Sequence, residues 1–188
     1  MTGLARLRRG SRWTLLMWLA GAGLLLLPAV AMRFTAEVSW TAFDFAFAGG
    51  MILAACTAVE LAVRGSSSLA YRAGVVVAVG VAFVLVWATG AVGIIGGEDN
   101  PANAMIFGVL LAAAIGAAVS GFRAGGMAAG MFAAAAIQAA VGAVALIGRM
   151  GAEGAAWPMD VIGATAVFTC GWLLAGGLFR LAQREVRG

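Results

Sequence analysis

A small set of acids and amides stands where this chain could do chemistry. Asp44 lies about one turn inside an apolar run that begins at Trp40. The string Glu98-Asp99-Asn100-Pro101-Ala102-Asn103 separates two further apolar runs, and Asp160 follows Pro158 at the start of the last one. Gln138 sits deep in a stretch made mostly of alanine and glycine. Carboxylates gathered on one face concentrate cations and ammonium groups, and a mouth with low-dielectric walls focuses that field. A polar or ionisable side chain at membrane depth is a functional candidate by default. The candidate binding or permeation residues are therefore Asp44, Glu98, Asp99, Asn100, Gln138 and Asp160.

The residues that are missing exclude more than those present suggest. There is no His and every basic residue is Arg. That removes His-ligated haem, His-ligated zinc and any His-containing triad. It also removes Schiff-base lysines, Ser-Lys dyads and phosphate-cradling loops that end in Lys. No catalytic residue, metal ligand or cofactor is expected, and these absences argue against an enzyme. Cys56 and Cys170 fall near the middle of two apolar runs and read as small packing residues.

Each acidic turn also has a structural explanation. Thr41-Ala42-Phe43-Asp44 has capping-box spacing. Asp99 or Asn100 can cap a helix whose first position is Pro101, where the missing N–H costs nothing. Asp160 falls in a first helical turn, where the helix dipole favours a negative charge.

The elements that must position these residues are apolar helices. The chain is 63% hydrophobic and 11% charged, with a mean hydropathy of +1.02. A soluble domain carries about 25% charge and about 45–50% apolar residues. Six runs, at 13–32, 40–63, 71–95, 101–121, 126–148 and 158–181, each approach the roughly 20 residues needed to cross a hydrocarbon core. Nothing alternates in the manner of barrel strands, and lipid permits only helices or closed barrels. The expectation is an all-α polytopic membrane protein. It is a six-helix bundle forming one integral membrane domain over 1–188, with short connections and neighbouring spans antiparallel.

Charge then orients the bundle. Arg6, Arg8, Arg9, Arg12, Arg64, Arg72, Arg123, Arg180, Arg184 and Arg187 fall on one side with Glu60 and Glu185, a net +8. Glu37, Asp44, Glu98, Asp99, Glu153 and Asp160 fall on the other with Arg33 and Arg149, a net −4. Basic residues in short loops stay cytoplasmic, so both termini are expected inside, in a bacterial inner membrane. Arginines scattered over loops and tails suit anionic lipid headgroups rather than nucleic acid. Glu60 and Arg64, four apart, suit an interfacial helical ion pair. Trp18, Trp87 and Trp172 lie deeper than Trp13, Trp40 and Trp157 and are expected to fill the core. The basic start, the apolar run and Ala29-Val30-Ala31 also describe a signal peptide. The length of the run, with Trp13 and Trp18 in it, favours a retained first span.

Internal similarity suggests three tandem helical hairpins with acidic outer turns. Tyr71-Arg72-Ala73-Gly74 is echoed by Phe122-Arg123-Ala124-Gly125, and 91–96 by 143–148. The run at 126–148 is so rich in small residues that it belongs at the bundle centre, since such residues let helix backbones approach in lipid. The runs at 24–27 and 75–79 are expected to face lipid. Exposed small-residue faces would also suit a homo-oligomer or a partner in a membrane complex.

Two resemblances follow from these strings. Asn100-Pro101-Ala102 resembles the aquaporin signature, but there is a single copy, the matching place reads Trp157-Pro158-Met159-Asp160, and no Arg follows where that family places its selectivity residue. The aquaporin reading is therefore not adopted. The string from Phe34 through Glu37-Val38-Ser39-Trp40-Thr41-Ala42-Phe43-Asp44-Phe45, with Gly90-Ala91-Val92-Gly93-Ile94-Ile95-Gly96-Gly97-Glu98-Asp99-Asn100-Pro101-Ala102-Asn103, is similar to a set of bacterial hypothetical membrane proteins over most of the chain. The resemblance implies a small six-span inner-membrane protein and transfers no activity, cofactor or site residue.

Two functions remain in view. One is permeation or transport of a small cation or basic solute through an acidic outer mouth. The other is a non-catalytic structural or assembly subunit of a larger membrane complex.

Overall fold

The computed structural model describes residues 3–187, with side chains from 13 to 185, so the side chains of Arg6, Arg8, Arg9, Arg12 and Arg187 lie outside the described set. The helices are α1 (Gly3–Ala31), α2 (Ala42–Gly65), α3 (Leu69–Ala91), α4 (Ile106–Val119), α5 (Ala124–Ile147) and α6 (Met159–Arg187), with a 3-10 turn at Pro101–Met105 leading into α4. The chain is 79% helical, with no strand among the described residues. Among the described residues six segments are long and apolar enough to cross a membrane, as the sequence led us to expect. They form two compact units, Met1–Ser67 and Ser68–Gly188.

The first unit is the antiparallel hairpin of α1 and α2. Gly21 lies against Ile52, where a Cβ would come within 2.7 Å of its side chain. Trp18 does more than fill space: its Nε1–H donates to Glu60 Oε2 at 2.8 Å. The other carboxylate oxygen of Glu60 takes the expected ion pair with Arg64, one helical turn on. A partly buried acid is thus matched on both oxygens, as desolvation requires. The run 24–27 is exposed only in part: Leu24, Leu26 and Leu27 are exposed, while Leu25 lies against Gly49 of α2, where a Cβ would stand 3.5 Å from it.

In the second unit the helices pack side by side in the order α3, α6, α5, α4. Gly74 receives the Phe179 ring and Gly171 the Val81 side chain, which fixes α3 against α6. Phe132 lies on Gly176, and Gly142 on Thr165, which fixes α5 against α6. Gly116 meets Gly130 backbone to backbone: a Cβ on Gly130 would stand 2.9 Å from Gly116 Cα. All three pairings are antiparallel. α5 buries ten residues, more than any other helix whose burial is described, and takes the central place its small side chains suit. Trp172, Phe179, Leu85 and Val109 fill the surrounding core.

Two expectations are corrected. The run 75–79 does not face lipid as a block: Val75 and Ala78 are buried and Val76 is exposed. Residues three apart share a helix face and adjacent ones do not, so a continuous apolar run must divide. Trp87 is partly exposed rather than enclosed. The third helix also stops at Ala91, short of the apolar run, because Gly93 and Gly96 turn the chain with φ of 71° each. The echoed strings therefore differ in conformation: 92–96 lies beyond the end of α3, while Ala143 to Ile147 is the last part of α5.

Candidate functional site

Antiparallel packing in the second unit gathers its charges by sign. The end of α3, the start of α4, the end of α5 and the start of α6 bring Glu98, Asp99, Glu153 and Asp160 to one end, with Arg149. Arg72, Arg123, Arg180 and Arg184 lie at the opposite end, with Glu185. There Ser68 Oγ donates to Glu185 Oε2 at 2.7 Å, and the Tyr71 hydroxyl donates to the Phe122 carbonyl at 2.8 Å, tying α3 to α6 and to the α4–α5 turn.

The acidic end is built around Asn103. Its side chain is 5% exposed. Its Oδ1 accepts from both Ile94 N and Ile95 N at 2.9 Å, and its Nδ2 donates to the Gly97 carbonyl at 2.9 Å. One amide therefore bonds three backbone groups of the turn that leaves α3, and two of them, Ile94 N–H and Ile95 N–H, would otherwise be buried without partners. Asn100 supplies the cap that the sequence allowed to either neighbour: its Oδ1 accepts from Ala102 N at 2.9 Å, with Pro101 at the first position. Asp99 is left free of that duty.

The α5–α6 turn closes onto this turn through glycine. Gly96 and Gly151 both have left-handed backbone, φ 71° and 81°, and a Cβ on Gly151 would lie 2.5 Å from Gly96 N. α5 itself ends in a Schellman arrangement, with Arg149 N donating to Leu146 O at 3.2 Å and Met150 N to Ala145 O at 2.8 Å. The left-handed position of that motif is Arg149, at φ 50°. Glycine usually occupies it, and does so at the end of α4, where Gly121 has φ 57°.

Between the two turns lies an open cleft of about 560 Å³, lined by Gly96, Gly97, Asp99, Asn100, Pro101, Arg149 and residues 151–154, including Glu153. Arg149 places its guanidinium carbon over the Trp157 ring, 5.2 Å from the centroid. Among the described residues it has no carboxylate within 4.0 Å, and neither Asp99 nor Glu153 has a basic partner at that distance. The cleft thus presents two carboxylates and one cation that do not neutralise each other by direct contact.

The sequence candidates divide accordingly. Asp99 and Asn100 share the cleft, and Glu98 stands exposed beside it in the same turn. Asp160 sits in the first turn of α6, its Oδ1 accepting from Val161 N at 2.8 Å. Gln138 lies on α5, 1% exposed, with Oε1 unpartnered among the described residues. Asp44 belongs to the first unit and forms the anticipated capping box: Thr41 N donates to its Oδ2 at 2.7 Å and Asp44 N to Thr41 Oγ at 3.3 Å. Sequence reasoning missed Asn103, a polar residue inside a predicted span that is spent on the preceding turn. It also placed Arg149 only as one charge on a face. The signal for Arg149 was its position directly after Gly148 at a helix end, where a bulky residue is unusual. No group of three or more acids, Cys or His able to hold a metal ion occurs among the described residues. No protein-family model, curated protein or solved structure matches the chain.

Proposed function

We propose that this integral membrane protein captures a small cationic or basic solute at the acidic end of its second unit, as the outer mouth of a permeation or transport route. One observation carries the reading: the two acidic turns are joined into a single cleft holding Asp99 and Glu153, both without a basic side chain in contact. Carboxylates kept unpaired at the mouth of an apolar bundle raise the local concentration of cations. Asp44 and Gln138 belong to the same proposal as polar groups within spans, Asp44 at the start of α2 and Gln138 in the interior of the second unit. In the proposed orientation the Arg-rich end and both termini face the cytoplasm of a bacterial cell.

The test is uptake of labelled butylamine into proteoliposomes containing the full chain. Uptake above protein-free vesicles, reduced several-fold by the pair Asp99→Asn and Glu153→Gln, supports the reading. Uptake equal to that of protein-free vesicles contradicts it.

A second reading, a non-catalytic subunit of a membrane complex, is favoured by the close packing of α5. Gly130 meets the α4 backbone at Gly116, Gly142 meets the Thr165 side chain of α6, and Gln138 is enclosed. That reading expects a partner subunit at fixed stoichiometry on purification in mild detergent.

A further inference from the structure

The geometry points to a zwitterionic ligand for this cleft, a molecule carrying both a carboxylate and an ammonium group, with Arg149 as the residue that selects the carboxylate. The inference rests on the capture reading above and narrows its solute class.

Three observations converge on Arg149. It lines the cleft between the two acidic turns, together with two carboxylates. It forms no ion pair with either within 4.0 Å. The carbon of its guanidinium instead lies over Trp157, 5.2 Å from the ring centroid. A guanidinium over an indole face is a cation–π contact that leaves its N–H groups for other partners, and their planar fork matches a carboxylate. A purely cationic solute would meet Asp99 and Glu153 but would be repelled by Arg149. A purely anionic one would meet Arg149 and be repelled by both acids. A solute with both charges satisfies all three groups, and the cleft volume of about 560 Å³ admits a small amino acid with water around it.

The backbone at this residue gives the test opposite signs for binding and stability. Arg149 occupies a left-handed position where glycine is the unstrained residue. Arg149→Gly should therefore raise the melting temperature while removing carboxylate recognition. A residue retained only for folding would show the reverse.

The experiment is equilibrium binding to the full chain in lipid nanodiscs, with three labelled probes of one length: γ-aminobutyrate, butylamine and butyrate. The expected result is that γ-aminobutyrate binds at least tenfold more tightly than butylamine, with butyrate weakest. Arg149→Gly should bring γ-aminobutyrate down to the butylamine level without weakening butylamine. Arg149→Gln should do the same, which separates the charge from the backbone effect. If butylamine and γ-aminobutyrate bind equally well to the native chain, the zwitterion inference is overturned and cation capture stands. If Arg149→Gly lowers the melting temperature and all binding together, Arg149 is structural and the inference is overturned. If none of the three probes binds above protein-free nanodiscs, the inference and the capture reading both fall.

Discussion

Gly96 and Gly151, 55 positions apart in the chain, touch backbone to backbone, and this one contact joins the two acidic turns of the second unit. Both have positive φ. Without that approach Asp99 and Glu153, on separate turns, would not line one cleft.

The first prediction follows from that contact. Alanine at either glycine meets two costs: about 1–2 kcal/mol for a left-handed β-carbon, and a clash with the opposite backbone. Gly96→Ala and Gly151→Ala should each lower the melting temperature clearly, while Gly97→Ala, where a Cβ meets nothing within 4 Å, should not. Thermal unfolding of the three variants in one detergent checks this; equal stability of all three would remove the contact from the account.

Asn103 should be the most costly polar residue of the acidic end. Asn103→Leu leaves Ile94 N and Ile95 N buried without acceptors, at about 1–3 kcal/mol for each unmatched donor. Asn100→Ala removes a single cap bond, worth about 1 kcal/mol. Denaturant titrations should therefore rank Asn103→Leu well below Asn100→Ala. The reverse order would mean that the turn is held by something else.

These residues mark how far the sequence could be read. Hydropathy located all six helices because a lipid solvent leaves few alternatives, and the Thr41–Asp44 box was visible because capping acts within four residues. Asn103 was not visible, since its partners are fixed by a turn whose path depends on two positive-φ glycines. The Gly96–Gly151 contact depends on how α3, α6 and α5 align, and no local pattern encodes that alignment. Trp18 was taken for a core residue because its partner, Glu60, is 42 positions away.

That hydrogen bond gives a third prediction. A bond to a charged acceptor is worth about 1.5–3 kcal/mol when buried; with the Glu60 side chain 18% exposed, about 1 kcal/mol is the expected coupling. A double-mutant cycle of Trp18→Phe with Glu60→Ala should return that interaction energy between α1 and α2. Strict additivity would show that the two side chains act independently.

The α4–α5 pairing should be equally specific. Gly130→Leu forces apart backbones that approach at Gly116, and lipid offers no hydrophobic gain in exchange. Gly108→Leu, on α4 where a Cβ meets nothing within 4 Å, is the matched control. The first should fail to give a folded, monodisperse protein and the second should behave as the native chain. Matching elution profiles for both would contradict the packing.

The proposed orientation, acidic turns outside and arginine turns in the cytoplasm, underlies the reading of the cleft as an outer mouth. Its most direct measurement is labelling of single cysteines, at Asp99→Cys and Arg123→Cys, in a chain with Cys56 and Cys170 replaced by alanine. The probe is a membrane-impermeant maleimide applied to intact cells. Reaction at position 99 without reaction at 123 is the predicted result. Reaction at 123 with none at 99 would invert the protein in its membrane and leave the proposed capture site facing the wrong compartment.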